Sequence, residues 1–339
     1  MKVNLKPLEQ QTMVITGASS GIGLTTARMA ARKGARLVLA ARSDATLEQI
    51  VTEIENNGGH AMAVPADVSN EDEVRNIAAT ANARFGGFDT WINNAGVSAY
   101  GLLMDVPLED QRRIFETNYW GVVNGSLTAL EHLKNRGGAI INIGSTLSDR
   151  AIPLQGAYSA SKHAVKGFTE SLRMEIEEQE LPISVTLIKP GAIATPYTEH
   201  AKNYLEVEPQ HPAPVYAPEV VAEAILHSAE HPVRDLFVGG AGKFISAMGQ
   251  YAPRIADKAM EWYAFNSQKS GRPARERETN SLHKASGDPR ERGHYEGHIA
   301  ESSLYTKASM HPLVTGGIIL AGAGLAYAAT RRRASNGAT

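Results

Sequence analysis

The chain has 339 residues, 42% hydrophobic and 21% charged, with a formal net charge of −2. That balance gives no electrostatic footprint for nucleic acid, and the absence of cysteine excludes disulfides, thiolate catalysis and Cys-based zinc sites. The length exceeds one typical domain, although a large α/β unit can run to ~200–250 residues, and the apolar share is enough to bury a sizeable core.

Met1 to Gln11 is polar and lacks the apolar core of a secretory signal, so the catalytic part is expected in the cytoplasm. Met13-Val14-Ile15-Thr16 is a short apolar, β-branched run. It leads into Gly17-Ala18-Ser19-Ser20-Gly21-Ile22-Gly23 and then a helix-like stretch from Leu24 to Lys33, which Gly34 is placed to cap. Strand, glycine-rich turn and helix in succession are the setting of a dinucleotide site. Glycines let the backbone approach a pyrophosphate closely, and the helix N-terminus offers unpaired N–H groups and a positive dipole end. The spacing is G-x-x-x-G-x-G, which departs from the usual G-x-G-x-x-G.

Strands are predicted at 12–16, 36–41, 60–64, 88–92, 138–144, 182–188 and 234–238, with amphipathic stretches between them and long helices near 107–135 and 157–180. Gly58-Gly59, Gly86-Gly87 and Gly137-Gly138 punctuate the entries to three of these strands. Such alternation predicts an α/β fold, a doubly wound parallel sheet (Rossmann fold) with helices on both faces.

Within the second long helix Tyr158 and Lys162 stand four residues apart, and Ser145 lies thirteen residues upstream of Tyr158 at the end of an apolar run. The four-residue spacing puts two side chains on one helix face, about 5–6 Å apart at Cβ. A phenol titrates near ~10, and a neighbouring ammonium favours the phenolate. A hydroxyl from another segment could hold a substrate oxygen beside a phenol tuned in this way.

Taken in order, Thr16 to Gly23, Asn93-Asn94-Ala95-Gly96, Ser145, Tyr158 with Lys162, and Pro190-Gly191 with Thr195 resemble the motif set of the short-chain dehydrogenase/reductase family over roughly residues 8–240. The G-x-x-x-G-x-G spacing is that family's own. The resemblance implies catalytic roles for Asn118, Ser145, Tyr158 and Lys162. Tyr158 would be the general acid in reduction and the base in oxidation. Lys162 would lower its pKa and bond the nicotinamide ribose. Ser145 would bond the substrate oxygen, and Asn118 would hold a water of the proton relay or, alternatively, be a buried structural residue. On the cofactor side it implies Gly17, Ser19, Ser20, Gly21, Ile22 and Gly23 at the phosphate turn. Asp67 and Val68 would lie at the adenine, with helix capping as the alternative for Asp67 (a job Ser69 could also do). Asn94, Ala95 and Gly96 would lie beside the adenosine ribose, and Pro190, Gly191, Ile193 and Thr195 beside the nicotinamide, together with Tyr158 and Lys162. NAD-preferring relatives carry an acidic residue where Ala41 stands. Here Arg42 follows instead and can pair with a 2′-phosphate through its planar fork, while Ser19 takes the place of the extra basic residue of some NADP-binding relatives. The expected cofactor is NADP(H).

The expected partner is a small-molecule carbonyl or alcohol. Tyr197, Tyr204, Leu205, Val215 and Tyr216, in the long loop after Thr195, suggest a hydrophobic one. A homo-oligomer, dimer or tetramer, is also expected. Residues 241–265 read as an amphipathic helical appendage, and 266–311, polar and rich in arginine, as a disordered linker. His294 and His298 in that stretch have no third ligand, so no metal site is expected. Residues 312–330 carry no charge, are rich in small and aliphatic residues and precede Arg331-Arg332-Arg333. They are long enough to span a bilayer. The arginines, however, would fall on the side that positive charge avoids, so a segment at the membrane surface or against a partner is the competing reading. A nucleotide-sensing or membrane-tethered scaffold on the same fold is the alternative to an enzyme.

Overall fold

The computed structural model describes residues 3–311 and Thr315. The predicted apolar runs become seven strands: β1 (Thr12–Thr16), β2 (Arg36–Ala41), β3 (His60–Pro65), β4 (Thr90–Asn93), β5 (Gly138–Ile143), β6 (Ile183–Pro190) and β7 (Asp235–Val238). They pair in the order β7-β6-β5-β4-β1-β2-β3, every neighbouring pair parallel. A parallel sheet is covered on both faces, which is why its strands read as continuous apolar runs instead of alternating ones.

The faces are sorted by the two-residue period of β1. Met13 and Ile15 point into one core with Leu24 of α1 (Gly21–Arg32), Leu47 of α2 (Asp44–Asn56) and, from α8 (Pro218–Glu230), Val221. Val14 points into the other core, with Val74 and Ile77 of α3 (Glu71–Phe85), Leu133 of α5 (Gly121–Leu133) and Leu172 of α6 (Gly156–Glu178). The order of connection reverses between β1 and β4, and ligands in such sheets bind in the crevice beyond the strand ends at that point.

The long helix predicted near 107–135 is interrupted. It runs as α4 (Leu108–Phe115), one π turn over Glu116–Trp120, and α5. A π turn inserts an extra residue into the helical period and is frequent at functional sites; here it carries Asn118, which is fully buried. After β6 come the short α7 (Tyr197–His200), then α8 and β7, then two helices, α9 (Gly240–Tyr251) and α10 (Pro253–Ser267). Most aromatic residues of this pair face outward, with Trp262 82% and Tyr251 83% exposed, and only Ala256 and Ala264 of α10 are buried.

Residues 266–311 differ most from expectation, since they lie against the domain instead of forming a disordered linker. Lys269–Pro273 pairs antiparallel with Val207–Pro209, Ile299–Ala300 pairs with Val215–Tyr216, and α11 (Leu304–Met310) follows. Low hydrophobicity misleads here because backbone pairing and ion pairs hold the segment. Arg272 and Arg275 reach Glu208, Arg290 reaches Glu199, and Arg292 reaches Glu219. Among the described residues no helix is long and apolar enough to cross a membrane; apart from Thr315, the segment 312–330 lies outside them.

Candidate active site

A cavity of about 350 Å³ opens beyond the carboxyl ends of the strands, between the glycine loop and the start of α6. Its floor depends on two glycines. Gly17 has φ +65°, and a Cβ there would lie 2.7 Å from the Ala95 Cα; a Cβ on Gly23 would lie 2.2 Å from the Gly17 carbonyl oxygen. The obstacles are backbone atoms that cannot turn away. Asn94 closes the cradle, its Nδ2 donating to the Thr16 and Gly17 carbonyls at 2.9 and 3.1 Å and its N–H to Thr16 Oγ1 at 3.0 Å. Ser19, Ser20, Gly21 and Ile22 line the cavity beside the N-terminus of α1. A narrow, glycine-only cradle at a helix N-terminus suits a pyrophosphate.

At one end of the cavity lie Arg42, Asp67 and Val68, while Ala95 abuts Gly17 and Gly96 faces Lys162 and Asn118. The Arg42 guanidinium donates to the carbonyls of Ser281, Leu282 and Lys284 at 2.5, 3.2 and 3.0 Å. Burial pushes the Asp67 carboxyl up, but hydrogen bonds from Arg113 and Ser69 outweigh this and hold it below its ordinary value. Asp67 does not cap the following helix, and neither does Ser69. Asn70 does so, accepting from the Asp72 and Glu73 N–H groups.

The other end holds the predicted proton-transfer group. Ser145 caps a short turn, its Oγ accepting from the Leu147 N–H at 3.0 Å, which leaves the hydroxyl hydrogen free. Tyr158 and Lys162 share one face of α6, with Lys162 Nζ 5.7 Å from the phenol ring centroid and bonded to the Ile143 carbonyl at 2.8 Å. Burial raises the Tyr158 phenol to about 12, partly offset by the Ser145 hydroxyl, and burial lowers the Lys162 ammonium to about 8. Desolvation thus shifts the phenol upward, opposite to the direction expected of an adjacent ammonium. Asn118 spends both Nδ2 hydrogens, on the Val97 carbonyl and Ser161 Oγ at 3.0 Å each, and its Oδ1 accepts from the Val97 N–H at 2.8 Å. One lone pair on Oδ1 remains. Pro190, Gly191, Ile193 and Thr195 complete this wall, with Thr195 Cγ2 3.2 Å from where a Gly21 Cβ would sit.

A polar cluster lies behind Tyr158. Tyr197 donates to Gln155 Oε1 at 2.8 Å and stands edge-on to the Tyr158 ring, 5.5 Å between centroids. Gln155 in turn donates to Gln268 at 2.7 Å. His211 stacks on Tyr197 and is kept neutral by burial, which lowers its imidazole to about 4. Tyr197 was visible as an aromatic of the long loop; the two glutamines carry no local signal.

The family profile described as short chain dehydrogenase matches residues 11–205. The chain belongs to the short-chain dehydrogenase/reductase family. It is 48% identical over 335 residues to the uncharacterized oxidoreductase YxnA of Bacillus subtilis, covering 98% of this chain and 93% of that protein. It is 36% identical over 236 residues to a 3-oxoacyl-[acyl-carrier-protein] reductase of Synechocystis, covering 68% of this chain and 94% of that protein. Among solved structures, an alcohol dehydrogenase of Thermococcus sibiricus complexed with 5-hydroxy-NADP superposes with TM-score 0.60 at 28% identity, covering 67% of this chain and 95% of that one. A family member from Burkholderia phymatum in complex with NAD gives TM-score 0.65 at 24% identity, covering 75% and 96%, a likeness of fold. This short-chain dehydrogenase/reductase is therefore an oxidoreductase of a family that binds nicotinamide cofactors. The match to YxnA extends through the C-terminal segment that packs on Arg42.

Proposed function

We propose that the protein interconverts a hydrophobic carbonyl compound and its alcohol with NADP(H), Tyr158 donating the proton in reduction. The observation that carries this reading is the convergence of Ser145, Tyr158 and Lys162 at one end of a single cavity whose other end offers Arg42 and no carboxylate at position 41. The glycine cradle would hold the pyrophosphate and Arg42 the 2′-phosphate, where a guanidinium makes charge-assisted hydrogen bonds. When bound, the nicotinamide supplies the hydride. The Ser145 hydroxyl donates to the substrate oxygen as it gains negative charge, and such stabilisation is often the largest catalytic contribution. Tyr158 passes its proton to that oxygen, and Lys162, charged below about pH 8, favours the phenolate left behind. Asn118 fixes the Val97 loop and keeps one acceptor position for a water. The cavity wall includes Tyr100, Ile245, Met260 and Tyr263, which favours an apolar substrate.

A pH profile tests the Lys162 role. The ammonium titrates near 8 instead of 10.5, while the phenol keeps its proton up to about 12. The rate of carbonyl reduction at saturating NADPH is expected to be level below pH 7 and to fall as pH rises through about 8. A rate unchanged between pH 7 and 9 would remove Lys162 from the mechanism. The homo-oligomer is supported by exposed Trp120 at the end of the π turn, exposed Leu127 on α5 and exposed Leu108 on α4. Sedimentation is expected to give a dimer or tetramer, and a monomer at micromolar concentration would contradict it.

A further inference from the structure

The polar segment after α10 runs across the mouth of the cavity and touches it at three separate places. Near the Arg42 end, the Ser281, Leu282 and Lys284 carbonyls accept from the guanidinium, and the Leu282 carbonyl also accepts from Arg113 Nε at 3.3 Å. Over the glycine loop, the Arg290 carbonyl accepts from the Gly21 N–H at 2.9 Å. Beside Thr195, the Gly293 N–H donates to the Ala194 carbonyl at 3.2 Å. Between these points Ser281, Ala285 and Ser286 form part of the cavity wall. A dinucleotide reaching from Tyr158 past the glycine cradle to Arg42 would lie beneath this segment for half its length.

The fastening is of a kind that can open. One apolar side chain anchors the segment: Leu282, fully buried beside Ala99, Val106 and Ile114. The remaining ties are polar and partly exposed. Arg290 pairs with Glu199 at 2.8 Å, Arg28 with Glu291 at 2.8 Å, and Ser286 Oγ bonds His200 at 3.2 Å. Elements held by few apolar contacts and many solvent-accessible polar ones open locally at low cost. Arg42 has five N–H donors, of which the carbonyls take three. The planar fork is therefore held in place with donors to spare for a phosphate.

Resting on the NADP(H) reading of this cavity, we propose that residues 281–293 are a strap belonging to the nucleotide site. It closes over the adenosine half of the bound dinucleotide and holds Arg42 for the 2′-phosphate, and the nucleotide enters and leaves only when the strap lifts. The strap is a specificity and retention element contributed from outside the region matched by the family profile, which ends at residue 205.

The test uses the full chain and two variants, Leu282→Ser, which removes the apolar anchor, and Arg290→Ala, which cuts an exposed tie and leaves the core untouched. NADPH association and dissociation are followed by stopped-flow fluorescence, with excess unlabelled NADP⁺ as the chase. In both variants the two rate constants are expected to rise together, by about tenfold or more for Leu282→Ser given the burial energy of a leucine. Hydrogen exchange over 281–293 in the wild-type chain is expected to slow when NADPH is added. Unchanged rate constants in folded variants would overturn the strap while leaving the cofactor reading intact. Faster exchange on NADPH addition would do the same, since it would mean the nucleotide displaces the segment. If the wild-type chain binds no NADPH at all, the cofactor reading falls and the strap with it.

Discussion

Replacing Tyr158 by Phe is expected to lower carbonyl reduction by about 10²–10⁴-fold, the range for losing a positioned general acid, while NADPH still binds. The substitution keeps the ring, and so the edge-on contact with Tyr197 and the packing over Lys162. What disappears is the one hydroxyl in the cavity that combines a retained proton with a neighbouring cation. Tyr197 cannot replace it easily, because its hydroxyl is committed to Gln155. Steady-state turnover and fluorescence titration with NADPH, measured on the same preparation, check both halves. Near-wild-type turnover would remove Tyr158 from the chemistry, and loss of binding would show the ring to be needed for the nucleotide.

Arg42→Ala is expected to weaken NADPH by roughly 1.5–3 kcal/mol, the worth of hydrogen bonds to a charged group, and NADH by much less. The discrimination comes from the 2′-phosphate, which NADH lacks. The strap carbonyls lose their donor in either case, so any general loosening of the site affects both nucleotides alike. The ratio of the two dissociation constants isolates the phosphate contact. Equal losses would reduce Arg42 to a clasp for the strap. Ala41→Asp offers the reciprocal check, since a carboxylate at the end of β2 accepts from a free 2′-hydroxyl and repels a phosphate.

The parts of the site legible in the sequence are those fixed by local geometry. The turn after β1 must adopt positive φ at Gly17 and leave no Cβ at Gly23, so glycine appears at both. The pairing of Tyr158 with Lys162 follows from the helical period alone. Strand identity is legible because a parallel sheet covered on both faces demands unbroken apolar runs, as in residues 37–41 of β2, buried at every residue. Where several segments meet, the sequence says less. The π turn at Asn118, the Gln155–Gln268 contact and the direction of the Tyr158 shift each depend on what is packed alongside. The composition of the 266–311 segment misleads for a related reason. The segment's order comes from ion pairs such as Arg290 to Glu199 and from carbonyl acceptors presented to residues far away in sequence, such as Ser281 to Arg42, and composition does not register such partners.

The most direct test of the account follows the label. NADPH carrying deuterium at the transferable C4 position is incubated with the protein and a panel of hydrophobic ketones and aldehydes, and the products are read by mass spectrometry. The predicted result is deuterium on the carbinol carbon of at least one alcohol with the wild-type chain, and none above background with Tyr158→Phe. Failure to label any alcohol, with NADPH bound at the site, would contradict the claim that this cavity reduces a carbonyl.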